Sequence, residues 1–68
     1  MREWLKEKRT ERGLTMKQMA AQLDITESYY SLIEGGKRQK KMDISLAKKL
    51  SEVLGMPAER VFELEANA

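Results

Sequence analysis

Four of the five residues at 37–41 are cationic: Lys37, Arg38, Lys40 and Lys41. A run this dense offers several N–H donors and positive charge at one place, which suits phosphate oxygens and other polyanions. A few residues earlier stand Thr26, Glu27, Ser28 and Tyr29, four consecutive side chains that donate or accept hydrogen bonds. The chemistry on offer is recognition. The chain has no histidine and no cysteine, so the common nucleophile–base pairs and the usual metal ligands are missing. Gly35-Gly36 follows an apolar stretch and opens no helix, unlike a phosphate-cradling loop. The expectation is a non-enzyme with no catalytic residue, no metal and no cofactor.

The charge is unevenly placed. Residues 1–50 hold twelve Lys/Arg and seven Asp/Glu, a balance of +5, whereas residues 51–68 hold one and four, a balance of −3. The basic part contains the cluster above, so a polyanion-binding face and a separate, less basic end are expected. With 68 residues the chain forms one domain, 1–68, with a small core and no separate effector domain. The lack of cysteine suits a reducing compartment. No apolar run approaches the roughly 20 residues of a membrane span. The start, MREWLKEKR, lacks the apolar segment of a signal peptide. A cytoplasmic protein without membrane association is expected.

These side chains need rigid elements to hold them, and the spacing predicts helices throughout. Little alternates with period two, so strands are not expected. A first helix covers roughly residues 2–12, with Leu5 and Arg9 on one face and Gly13 at its end. Trp4 packs on the core side of this helix, whereas Glu3, Glu7 and Glu11 form an exposed stripe. Thr15 with Gln18 fits a capping box, and Met19, Ala20 and Leu23 give the second helix an apolar stripe. Asp24-Ile25 makes a tight turn, with Ile25 inward. Thr26 caps a third helix that runs to about Glu34, with Tyr30 and Ile33 inside. Two short helices joined by a tight turn, over about 15–34, have the layout of a helix-turn-helix. Asp43 caps a fourth helix whose apolar positions are Ile44, Ala47, Leu50 and Leu54, closed by Gly55. Pro57 starts a short fifth helix, about 57–64, with Val61, Phe62 and Leu64 as its apolar side. Helices this short need burial against one another, so the fold class is all-α, a compact five-helix bundle.

At this level the chain resembles the lambda-repressor-like, Cro and Xre family of helix-turn-helix domains. The resemblance covers about residues 3–64. It rests on R-x-x-x-G-L-T at residues 9–15, Q-M-A-A-Q-L-D-I-T at 18–26, S-L-I-E-G-G-K-R at 31–38 and L-A-K-K-L-S-E-V-L-G-M at 46–56. It implies a five-helix domain, usually dimeric, that binds operator DNA and regulates transcription. It also implies a structural ion pair between Arg9 and Glu34, in which the planar guanidinium grips the carboxylate at two points.

Carried over position by position, the resemblance makes Thr26, Glu27, Ser28, Tyr29 and Leu32 the candidate base-reading residues. Ser and Thr match several base edges, Glu27 matches cytosine N4 or else only favours the helix dipole, Tyr29 matches a thymine methyl or a phosphate, and Leu32 matches a thymine methyl or else covers the second helix. Candidate phosphate contacts are Thr15, Met16 and Lys17 at the start of the second helix, and Lys37, Arg38, Lys40 and Lys41 in the loop. The sequence departs from the family pattern at three places. Met16 stands where Gln is frequent, leaving the helix N-terminus to contribute its backbone N–H groups. Asp24 stands where Gly is usual. The loop before the fourth helix is about two residues longer than is common and carries basic residues.

The function expected is a sequence-specific regulator, commonly a repressor, acting as a homodimer on an inverted repeat in double-stranded DNA. Pro57, Val61, Phe62 and Leu64 are the candidate dimer interface; the other reading of Val61, Phe62 and Leu64 is that they close the domain core, and a short helix can show one side to each. The alternative is a protein-interaction module on the same fold, an antitoxin or a repressor antagonist with a protein partner, which Glu27 and Met16 favour and the basic loop opposes.

Overall fold

Five helices follow one another in the computed structural model, which describes all of residues 1–68: α1 (Glu3–Glu11), α2 (Met16–Leu23), α3 (Glu27–Glu34), α4 (Ile44–Leu54) and α5 (Ala58–Ala66). There are no strands, and the fold is all-α. Three helices start on a side chain that closes their own first turn. Thr15 accepts from the Gln18 N–H, and the Gln18 side chain returns the bond to the Thr15 N–H, a complete capping box. Thr26 accepts from the Tyr29 N–H at 3.1 Å, and Asp43 from the Leu46 N–H at 2.7 Å. Each cap satisfies a backbone donor that has no partner inside the helix, which stabilises by about 1 kcal/mol.

The core is one cluster of twelve buried apolar residues drawn from all five helices, with Leu5, Met19, Tyr30, Ile33, Ala47, Leu50 and Val61 completely enclosed. α2 packs on α3, α4 on both α2 and α5, and α1 on α3. The α2–α3 turn is tight because Asp24 takes the left-handed conformation, φ 59° and ψ 42°, which Asp tolerates better than most residues. Ile25 then turns back against the core, half-buried. Gly36, at φ 76°, ends the turn after α3, where it packs near the Met1 backbone.

Several expectations need correction. Ile44 is 69% exposed, and Leu46 takes the inward position of the first turn of α4. At 100° per residue Leu46, Ala47, Leu50 and Leu54 share one arc of about 100°, and Ile44, the first helical residue, falls outside it. Pro57 precedes α5 as its N-cap and lies outside the helix, and α5 continues to Ala66. Val61 is completely enclosed, so it closes the core and offers nothing to a second subunit in this conformation.

Candidate nucleic-acid interface

The exposed face of α3 follows from its helical period. Glu27, Ser28, Ser31 and Leu32 are exposed, whereas Tyr30, Ile33 and Glu34 are buried and Tyr29 lies between. At 100° per residue the four exposed positions occupy one continuous arc. Thr26, also exposed, stands at its N-terminal end with its hydroxyl engaged as the cap. Ser31 belongs to this arc as fully as Ser28 does. Its spacing from Glu27 and Ser28, four and three residues, already places it there, although the resemblance carries over no base-reading role for it.

The basic loop lies beside this arc. Lys37 and Arg38 both donate their backbone N–H to the Leu32 carbonyl, at 2.8 and 3.2 Å, so the loop turns directly off the end of α3. Gln39 Nε2 donates to the Tyr29 hydroxyl at 2.8 Å, and Gln39 Oε1 accepts from the Asp43 N–H at 3.1 Å. Gln39 itself sits at φ 54°, in the left-handed region, and this reverses the loop. Tyr29 and Gln39 thereby line one shallow cleft of about 140 Å³ with Asp43, Ser45 and Lys49 of the α4 entry. Tyr29 is tied to the loop and not free to reach outward alone.

All four loop cations, Lys37, Arg38, Lys40 and Lys41, are exposed, and so is Lys17 at the start of α2. None of them makes an ion pair within the chain; the four ion pairs present are Arg2–Glu65, Lys8–Glu11, Arg9–Glu34 and Arg60–Glu63. The cations beside α3 are therefore available to an external anion. Met16 is different. It is half-buried against the core, and its thioether has no N–H to give, so only the backbone N–H at the helix start remains for a phosphate.

Two buried arginines hold this face in place. Arg9 Nε and Nη2 donate to Glu34 Oε2 and Oε1 at 2.9 and 3.1 Å, and Nη1 donates to the Leu14 carbonyl at 2.8 Å. α1, the α1–α2 connection and the end of α3 meet at this guanidinium. The Glu34 hydrogen bond holds the Arg9 proton more firmly, overcoming the opposite effect of desolvation. The Tyr30 phenol is enclosed beside this pair, and its oxygen has no hydrogen-bonding partner. Burial raises its pKa far above 10, and the neighbouring Glu34 carboxylate adds to the rise.

The second arginine, Arg2, is absent from the sequence reading, because an Arg next to the N-terminus of a basic chain gives no periodic or motif signal. It is 5% exposed. Its Nε donates to Glu65 Oε2 at 2.8 Å, its Nη1 to the carbonyls of Ile33 and Arg38 at 2.6 and 3.1 Å, and its Nη2 to the Gln39 carbonyl. Trp4 Nε1 donates to the same Glu65 oxygen at 2.7 Å. Pro57, just before α5, and Phe62 on it are exposed, with Phe62 at 42%, and Leu64 is half-buried against the core.

The helix-turn-helix family profile matches residues 5–61. An uncharacterized HTH-type transcriptional regulator of Bacillus subtilis, YqaF, is 40% identical over 63 residues, which are 93% of this chain and 80% of that protein. No solved structure matches the chain. The chain belongs to the helix-turn-helix family of DNA-binding regulatory domains, in its lambda-repressor-like, Xre form. No helix in it is long and apolar enough to cross a membrane.

Proposed function

We propose that the protein is a sequence-specific transcriptional repressor that binds an inverted-repeat operator as a homodimer. The observation that carries this reading is the juxtaposition on one face of the exposed α3 arc with four unpaired loop cations. A helix that reads the major groove presents side chains able to hydrogen-bond base edges or to meet a thymine methyl; Glu27, Ser28 and Ser31 suit the first and Leu32 the second. Lys37, Arg38, Lys40, Lys41, Lys17 and the capped start of α2 at Thr15 then lie against the phosphates, setting register and affinity. Base choice falls to Thr26, Glu27, Ser28, Tyr29 and Leu32, with Ser31 added by the geometry. Pro57 at the start of α5, with Phe62 and Leu64 on it, supplies the apolar surface for the second subunit, and two recognition helices then stand about 34 Å apart on successive major-groove faces.

The test is selection of bound duplexes from a random DNA pool at physiological salt, followed by a reporter driven from the recovered site. Enrichment of an inverted repeat that lowers expression supports the reading. Enrichment of a single half-site removes the dimer, and activation of the reporter removes repression. Binding without enrichment, or none, leaves the interaction-module alternative, in which the same face meets a protein.

A further inference from the structure

The basic loop is an irregular segment with four like charges in five residues, and charges of one sign push it apart. It keeps one shape because its backbone is held from inside. The carbonyls of Arg38 and Gln39 both accept from the Arg2 guanidinium, and the Ile33 carbonyl at the end of α3 accepts from it too. The Arg2 backbone N–H adds a bond to the Glu34 carbonyl at 2.8 Å. On its other edge the guanidinium meets Glu65 of α5, whose carboxylate offsets a further positive charge beside the loop. One buried side chain therefore joins the recognition helix, the loop and the C-terminal helix. Only a planar fork with five N–H groups can serve acceptors in so many directions; a lysine ammonium of the same charge cannot.

We infer that Arg2 is the positioning residue of the phosphate-binding loop: it touches no DNA itself and sets the loop shape in which Lys37, Arg38, Lys40 and Lys41 reach the backbone together, with Glu65 holding Arg2. This rests on the DNA-binding reading above. Arg2 acts through the loop, so its effect must disappear when the loop cations are gone. Arg2→Lys keeps the charge, so any change in salt dependence it causes reports position and not electrostatics.

The experiment measures binding to a mixed-sequence linear duplex across a range of salt concentrations. The proteins are the unaltered chain, Arg2→Ala and Arg2→Lys, each also in a background with Lys37, Arg38, Lys40 and Lys41 changed to alanine. Amide hydrogen exchange on the free proteins runs alongside. Arg2→Lys is expected to flatten the slope of log affinity against log salt by about 0.9 for each phosphate contact given up. The same change in the four-alanine background is expected to leave the slope unaltered. Exchange is expected to quicken at Lys37, Arg38 and Asp43, whose amides are bonded to the Leu32 carbonyl and the Gln39 side chain, while the amides of α2 and α3 stay protected. An unchanged slope for Arg2→Lys on a chain that binds duplex overturns the inference and leaves the DNA reading standing. Equal loss of slope in both backgrounds, or exchange quickened throughout the helices, makes Arg2 a general stabiliser and overturns it as well. Failure of the unaltered chain to bind duplex overturns the DNA reading, and the inference with it. Arg2→Lys is the milder variant and decides the matter if Arg2→Ala does not fold.

Discussion

Two arginines hold the proposed DNA-binding face, and they do so by different physics. Arg9 is spent on a charge: it grips Glu34 at two points, in a place where the carboxylate side chain is 1% exposed. Arg2 is spent mainly on backbone: three carbonyls accept from it, and its one carboxylate partner, Glu65, is 17% exposed. The first joint fixes a helix, whose own hydrogen bonds already give it a shape, so the joint needs only to orient it. The second fixes a loop, which has no periodic bonding of its own and must borrow its shape from a neighbouring donor. A buried charge left alone costs far more than a carbonyl that water can reach, and the two joints should fail differently.

The largest effect is expected at the charge-neutralising joint. Glu34→Ala leaves the Arg9 guanidinium without its carboxylate and should cost about 3–5 kcal/mol. At about 4–8 °C per kcal/mol for a domain of this size, thermal unfolding would show Tm falling by at least about 12 °C. Replacing both partners, Arg9→Met with Glu34→Leu, should recover much of that loss, because the penalty belongs to the unpaired charge. A double variant as unstable as the single one would mean that the pair is needed for its directed hydrogen bonds.

Arg2→Ala should cost less, about 1–3 kcal/mol in the same melting experiment, since the Arg38 and Gln39 carbonyls it abandons lie at a partly exposed loop and the buried Ile33 carbonyl still accepts from the Gly36 N–H. A loss as large as that of Glu34→Ala would erase the distinction between the joints.

The Arg9–Glu34 joint also carries a signature in alkali. Tyr30 has a raised pKa in the folded state, so the folded chain holds this proton more tightly than the unfolded chain does. The sign follows: its contribution is complete below about pH 10, the unfolded value, and is lost progressively as pH rises above it. Tyr30→Phe removes that loss. Its cost at neutral pH should stay within about 1 kcal/mol, because the phenol oxygen has no partner to forfeit. Denaturant melts of both proteins from pH 7 to 11 should converge or cross above pH 10. Parallel curves would mean that burial, with Glu34 beside it, does not hold the Tyr30 proton in the folded state.

The smallest effects lie away from both joints. Thr26→Ala removes the cap of α3 and should cost about 1 kcal/mol. Ile44→Ser should change stability by no more than about 0.5 kcal/mol, given the exposure of Ile44. A larger loss at Ile44 would indicate a second copy covering the start of α4.

Much of this molecule was legible before any coordinates. Thr15, Thr26 and Asp43 announce their helices because a cap is a local bond, three residues long, written in adjacent positions. Met19, Ala20, Leu23, Tyr30 and Ile33 announce the buried faces because helical period maps spacing onto direction. Asp24 and Gly55, both left-handed, stand where the apolar stripes stop. The same local reasoning misleads at the margins, at Ile44 and at Phe62, which are both exposed. Periodicity says which way a residue points along a helix and not what lies opposite it.

What the sequence determined alone is the set of helices, their apolar faces and the outward arc of α3, all of which depend on contacts within about four residues. What only the tertiary structure decided is the set of long-range contacts that no motif carries; the Arg9–Glu34 pair, 25 positions apart, was implied by the resemblance alone. Arg2 meets Glu65 across 63 positions and Gln39 across 37, and no local pattern encodes either meeting. The division of α5 into an enclosed Val61 and an exposed Phe62 likewise depends on where α4 and the rest of the core lie. Helix formation is governed by neighbours in the chain, whereas an irregular loop takes its shape from whichever distant donor the packing brings beneath it.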